Sequence, residues 1–199
     1  MRKLLVCGLV AIFSLTFLNA QDENTTMPIS FGVKTGVNFS DIAGDDVESY
    51  NGRTAFHFGG VVEIPICESF SLQPELIYSA QGSDYEDPGE SGTAKVDYLN
   101  LPVIAKYYPI EGFSIEAGPQ LGYLLSAKFD VDGEEFDFKD DLKSIDFGVN
   151  FGLGYKLENG LNFSARYNLG ITNANDSDEL DGGAEYRNSV IQVGVGFFF

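Results

Sequence analysis

From Ile29 onward the chain alternates apolar and polar residues with a period of two, the mark of extended strands whose two faces meet different surroundings. Eight such runs cover residues 29–40, 54–66, 70–81, 96–108, 113–127, 145–156, 161–171 and 190–199. One phase carries, for example, Phe31, Val33, Val37 and Phe39 in the first run and Phe147, Val149, Phe151, Leu153 and Tyr155 in the sixth. Charge is kept off that phase through the middle of every run. The other phase holds Lys34, His57, Glu63, Glu75, Lys106, Glu116, Asp146 and Arg166, among asparagines, glutamines and many glycines. No stretch after Gln21 shows a helical period of 3.6.

Tight turns at 67–69, 109–112 and 158–160 join the second run to the third, the fourth to the fifth and the sixth to the seventh. The remaining connections are long. Short turns on one side and long loops on the other are the pattern of a transmembrane barrel, with its short turns in the periplasm. The predicted fold is all-β: an eight-stranded antiparallel up-and-down transmembrane β-barrel spanning 29–199, with both termini on the periplasmic side. A lipocalin-like barrel has the same alternation, its apolar face lining a ligand cavity. Glycine decides between the two. It costs conformational entropy in a strand and gives a wetted surface nothing, whereas a narrow interior needs small residues beside long ones. Tyr78, Tyr107, Tyr123, Tyr155 and Tyr167 in the apolar phase fit an interfacial girdle. The apolar phase is therefore expected to face lipid. Pro74, Pro102 and Pro119 each remove a ladder donor, so a bulge or local break is expected near them.

Residues 1–20 read as a signal peptide: Arg2 and Lys3, an apolar run from Leu4 to Leu18, then Ala20 before polar Gln21-Asp22-Glu23. That run is shorter than the roughly 20 residues of a membrane-spanning helix. Residues 21–28 form a short polar segment. Formal net charge is -18, which argues against nucleic acid as a partner. Beyond the signal only Cys67 remains, so no intramolecular disulfide is available. One histidine and no tryptophan offer little for a metal cluster, and neither metal nor cofactor is expected.

Several spaced segments, Phe70-Ser-Leu-Gln-Pro-Glu-Leu-Ile-Tyr78, Tyr98-Leu-Asn-Leu-Pro-Val-Ile-Ala-Lys-Tyr107, Glu116-Ala-Gly-Pro-Gln-Leu-Gly-Tyr-Leu-Leu125, Asp146-Phe-Gly148 and Ala165-Arg-Tyr167, resemble the porin-like outer-membrane β-barrel family that includes the PorT proteins. The resemblance implies the outer membrane of a Gram-negative bacterium, and OmpA/OmpX-type eight-stranded barrels as structural relatives. It implies little about activity, because a fold does not fix a function. The terminal aromatic Phe199 looks like the signal that barrel-insertion machinery reads.

The candidate site is the lumenal charge set Lys34, Glu63, Glu75, Lys106, Glu116, Asp146 and Arg166. An eight-stranded interior is just filled by side chains, so these groups are expected to pair as a packed network. The competing reading is a narrow gated path for ions or small solutes, and behind it stands the lipocalin-like ligand barrel. A wide nutrient pore is excluded by strand number. His57 starts the second run near the expected extracellular rim, where a catalytic group would have to sit, but no nucleophile motif accompanies it and no enzyme is expected. Acids crowd the outer connections: 41–48, 84–90, 130–141 and 176–185 hold 20 of the 30 Asp and Glu residues. They are expected to be solvated and mutually repelling. Through them the protein is expected to act as a structural or adhesive barrel; the alternatives for the loops are divalent cations joining them to lipopolysaccharide, or a grip on a cationic partner.

Overall fold

The computed structural model describes residues 27–44, 50–87, 90–131, 134–172 and 186–199. The signal segment, most of 21–28 and the acidic stretches 45–48 and 176–185 lie outside them. The eight runs form the strands β1 (Ser30–Gly44), β2 (Tyr50–Cys67), β3 (Phe70–Asp87), β4 (Glu90–Ile110), β5 (Phe113–Val131), β7 (Ile145–Lys156), β8 (Leu161–Gly170) and β9 (Tyr186–Phe198), with one short extra strand, β6 (Glu134–Asp137). Neighbours are antiparallel, and the ring closes where β1 pairs β9 from Gly32↔Phe198 to Gly44↔Tyr186. Around the circumference the order is β1-β2-β3-β4-β5-β7-β8-β9, with β6 attached only to the far end of β5. Closure is what hydrocarbon demands, since an open edge would leave backbone N–H and C=O groups without partners.

The faces fall as the alternation predicts. Phe31, Val33, Phe56, Phe58, Leu76, Leu101, Leu121, Phe147, Phe151, Phe163, Val193 and Phe197 are exposed on the outside, and the polar phase is turned into the lumen. Tyr107 stacks obliquely on Phe70 at the periplasmic end, ring centroids 6.3 Å apart. Tyr78 packs against Phe58 and Phe56 nearer the other end.

Pro74, Pro102 and Pro119 interrupt the ladder without shifting it. β2 and β3 pair Val61↔Glu75 and next Ile64↔Leu72, with Pro74 in the interval. The β3–β4 ladder passes from Pro74↔Val103 to Ile77↔Asn100 across Pro102, and the β4–β5 ladder from Pro102↔Gln120 to Ala105↔Ala117 across Pro119. Register is the same on both sides of each gap, so the assignment of faces survives. The register shifts lie between Gly52 and His57, Pro65 and Cys67, Asp97 and Tyr98, and Tyr107 and Ile110, two of them at Pro65 and Pro109.

The outer connections differ from the expected long loops. β3 and β4 stay paired up to Asp87↔Glu90, and β4 and β5 up to Gly92↔Val131. Much of the acidic sequence is thus strand that continues the ladder beyond the barrel's apolar band, where each backbone bond still contributes a modest net gain. Among the described residues β3, β4 and β5 rise farther than β7, which begins at Ile145, and β8, which ends at Gly170.

Phe151 lies outward on β7, 52% exposed, and an arginine there must be buried in acyl chains at a cost of about 2–4 kcal/mol. Phe151→Arg is expected to block insertion, seen as loss of heat-modifiable gel migration in the outer-membrane fraction. Normal assembly of that variant would reverse the faces.

Candidate functional site: the lumenal polar network

Strand alternation sends every second side chain inward, and the ring order then decides which of them can meet. Arg166 on β8 is buried and reaches the opposite wall, where its Nη2 bonds Glu75 Oε1 on β3 at 2.7 Å, while its Nε bonds Glu116 Oε2 on β5 at 2.6 Å. One planar guanidinium holds two carboxylates, a task its fixed fork of donors suits. Glu75 also accepts from Gln73 Nε2 at 2.6 Å and stands 3.8 Å from Lys34 Nζ. Glu116 stands 3.5 Å from Lys106 Nζ, which itself donates to Gln73 Oε1 at 3.1 Å. Glycines make the room. A Cβ on Gly154 would stand 2.5 Å from Glu116 Oε1, and one on Gly152 2.6 Å from Arg166 Cγ.

Toward the periplasm a second bridge crosses the barrel. Lys156 Nζ on β7 bonds Glu63 Oε2 on β2 at 2.6 Å, and the other Glu63 oxygen accepts from Ser71 and from the Tyr108 hydroxyl. Phe198 turns inward here beside Val61 and Ile77, with Lys156 Nζ 4.9 Å and Lys106 Nζ 5.9 Å from its ring centroid. Toward the outside a third contact spans the lumen, from Asn188 Nδ2 on β9 to Tyr98 Oη on β4 at 3.3 Å.

Six of the seven predicted charges therefore join in ion pairs, and Lys156, outside the predicted set, completes them. Asp146 does not join: it is buried, and among the described residues its Oδ1 has no hydrogen-bond partner. His57 is corrected. β2 begins at Tyr50 rather than near Thr54, so His57 sits well below the rim and is fully buried. Its Nδ1 lies 2.8 Å from Asn38 Oδ1, which also accepts from Gln192 Nε2 at 3.0 Å. Among the described residues no group of three or more His, Cys, Asp or Glu is placed to hold a metal.

Residues 19–176 match the family described as outer membrane protein beta-barrel domain. The chain belongs to that family. It is an outer-membrane barrel, as the resemblance of its strand segments implied, and the same ring of eight strands appears in solved structures. Neisserial surface protein A (NspA) superposes with a TM-score of 0.57 at 16% identity, covering 87% of this chain and 100% of that one. Ail, the attachment invasion locus protein of Yersinia pestis, gives 0.53 at 14% identity, again covering 87% and 100%. No curated protein matches the sequence.

The extracellular end of this outer-membrane barrel is more ordered than a repelling acidic loop would be. β6 pairs with β5 from Val131↔Glu134 to Lys128↔Asp137. Glu135 bonds Lys128 Nζ at 2.6 Å and Lys95 Nζ at 3.2 Å, and Lys95 also bonds Asp130 at 2.6 Å. The chain then folds back across the inner side of the rim. Phe138 N donates to Ala127 O and Leu124 N to Ser144 O, while Phe138 and Leu142 pack on Tyr98, Leu124 and Ala127.

Two measurements test this geometry. Arg166→Met strands two buried carboxylates and is expected to cost roughly 3–5 kcal/mol in lipid-refolded protein, read from the urea midpoint; an unchanged midpoint would mean the network carries no stability. In the outer hairpin, bonds from Lys128 and then Lys95 hold the Glu135 carboxyl below its ordinary 4.5. A depressed carboxyl strengthens the hairpin above its unfolded value, and that contribution is lost as pH falls through the lowered folded value. An NMR titration of Glu135 is expected to show a midpoint below 4.5 that moves up in Lys128→Met.

Proposed function

We propose that this protein is a sealed, non-enzymatic outer-membrane barrel that serves as a structural and adhesive element through its acidic extracellular end. The observation that carries the reading is the set of contacts across three barrel diameters: Lys156–Glu63, Arg166–Glu75 and Asn188–Tyr98. Each joins strands that face one another across the ring, so each obstructs the axis at its own level. A gated path for solutes would require several charge-assisted bonds to break together, which favours closure over transport.

The working surface is then the outer rim, where the tall β3–β4–β5 wall, the β5–β6 hairpin and the acid-rich connections stand clear of lipid. Cationic groups on a neighbouring surface are the partner this charge selects, and divalent cations joining the acids to lipopolysaccharide are the lesser arrangement. Ail has been crystallised with the heparin analogue sucrose octasulfate, a polyanion; the acidic rim of this chain calls for the opposite ligand charge. Export by cleavage after Ala20 and insertion guided by Phe199 complete the reading. The support for a non-enzymatic role is that His57, the histidine a rim site would draw on, lies buried in the lumen against Asn38.

The test has two arms. Planar bilayers containing the purified protein are expected to stay silent, and steady conductance from the unaltered chain would replace this reading with transport. Cells displaying the protein are expected to adhere to amine-coated surfaces several-fold more than cells displaying a variant with Asp176, Asp178, Glu179 and Asp181 changed to Asn or Gln. Equal adhesion would remove the adhesive role.

A further inference from the structure

Asp146 is the one lumenal acid left out of the ionic network. It is 8% exposed, and among the described residues its Oδ1 has no hydrogen-bond partner and no lysine or arginine stands within ion-pair distance of it. The network cannot neutralise it from below. Arg166 pairs across from Gly152, six residues further down β7 than Asp146, which is about 20 Å of strand at 3.3 Å per residue. A buried carboxylate without a counter-charge is costly, so the surroundings of Asp146 must hold something that answers its charge.

Those surroundings are rich in oxygen and short of bulk. Asp146 pairs with Gly122 on β5. A Cβ built on Gly122 would stand 2.9 Å from Asn100 Oδ1, 3.4 Å from the Tyr98 ring and 3.5 Å from Asp146 Cβ, so the Asn100 carbonyl leans over the glycine beside the acid. On β9, two strands from β7, Asn188 lies close to the Asp146 carboxylate and its Nδ2 donates to the Tyr98 hydroxyl at 3.3 Å. Above, Phe138 and Leu142 pack over Tyr98 and Leu124 on the inner side of the rim and screen the place from open solvent.

We propose that Asp146 anchors a binding site for a small monovalent cation of the alkali type in the extracellular third of the lumen, with Asn100 Oδ1 and Tyr98 Oη as neutral oxygen ligands. Hard oxygen donors suit such ions. One carboxylate balances one positive charge, whereas a calcium ion there would keep a positive charge uncompensated in a poorly solvated interior, and calcium sites gather more carboxylates than one. The site is independent of the adhesive reading and requires only that the lumen be closed around it.

The test uses the full protein refolded in lipid, with NaCl, KCl or RbCl compared against tetramethylammonium chloride at equal ionic strength. Acidic residues of the rim respond to any cation, so only discrimination between small and bulky ions reports the site. The unaltered chain is expected to unfold at higher urea in the alkali salts, and Asp146→Asn, which keeps the shape of the side chain, is expected to lose that difference. Crystals grown with rubidium are expected to show an anomalous peak beside Asp146, which keeps the proposal testable if Asp146→Asn folds poorly. No discrimination by the unaltered chain, equal discrimination by Asp146→Asn, or no rubidium peak would overturn it. An infrared band of a protonated acid, removed by Asp146→Asn and indifferent to the cation, would overturn it in favour of a proton.

Discussion

The bond from Arg166 to Glu75 crosses the whole barrel, and the rest of the interior is arranged around the need for it. Hydrocarbon outside forces the sheet to close and forces apolar side chains outward. With eight strands, the inward side chains then meet at the axis. Polar groups placed there are taken out of water, and each must find its partner among the others. Arg166 resolves most of this by holding two glutamates at once, and Lys34, Lys106 and Gln73 occupy the remaining positions on those same carboxylates.

This accounts for composition as well as contacts. A long side chain that spans a narrow lumen needs vacant space opposite, which is why Gly152 and Gly154 lie directly against Arg166 and Glu116. The lumenal glycines and the lumenal charges are two halves of one packing solution. Apolar packing also enters the interior where the network ends: Phe198, Val61 and Ile77 toward the periplasm, Tyr98 and Leu124 toward the outside. The barrel is thus closed at its two ends by different means, an ion pair with an aromatic ring below and a folded-back segment above.

The fold could be read from the sequence because a strand's period of two leaves a direct trace in residue order. Phe151, Phe147 and Leu153 declared the lipid face, and Lys106, Glu116 and Arg166 the lumen. Legibility failed wherever neighbouring positions were alike. Val61-Val62, Leu76-Ile77, Val103-Ile104 and Phe197-Phe198-Phe199 carry apolar residues in both phases, so the inward turn of Val61, Ile77, Ile104 and Phe198 left no signal. Partner choice was hidden for another reason. That Lys156 meets Glu63, 93 residues away, follows from ring order and stagger, which alternation does not encode. The outer connections misled because acidic residues read as loop, whereas Glu134–Asp137 extends the sheet once Lys128 and Lys95 neutralise Glu135.

Closure at several levels also determines where any activity toward other molecules has to reside. A molecule arriving from outside meets first the tall β3–β4–β5 wall, then the segment from Phe138 to Ser144, and only behind these the lumen. Contacts across the lumen obstruct it behind those barriers, and Asp146 lies among Gly122, Asn100 and Tyr98. The low wall at β7 and β8 lies on the same side as Asp146, the second residue of β7. Asp146 therefore sits toward the outer end of the lumen, and the paired charges of Arg166, Glu75 and Glu116 sit deeper in it. The lower lumen thus ties the wall together by paired charge, and the upper lumen does so by the packing of Phe138 and Leu142 over Tyr98 and Leu124.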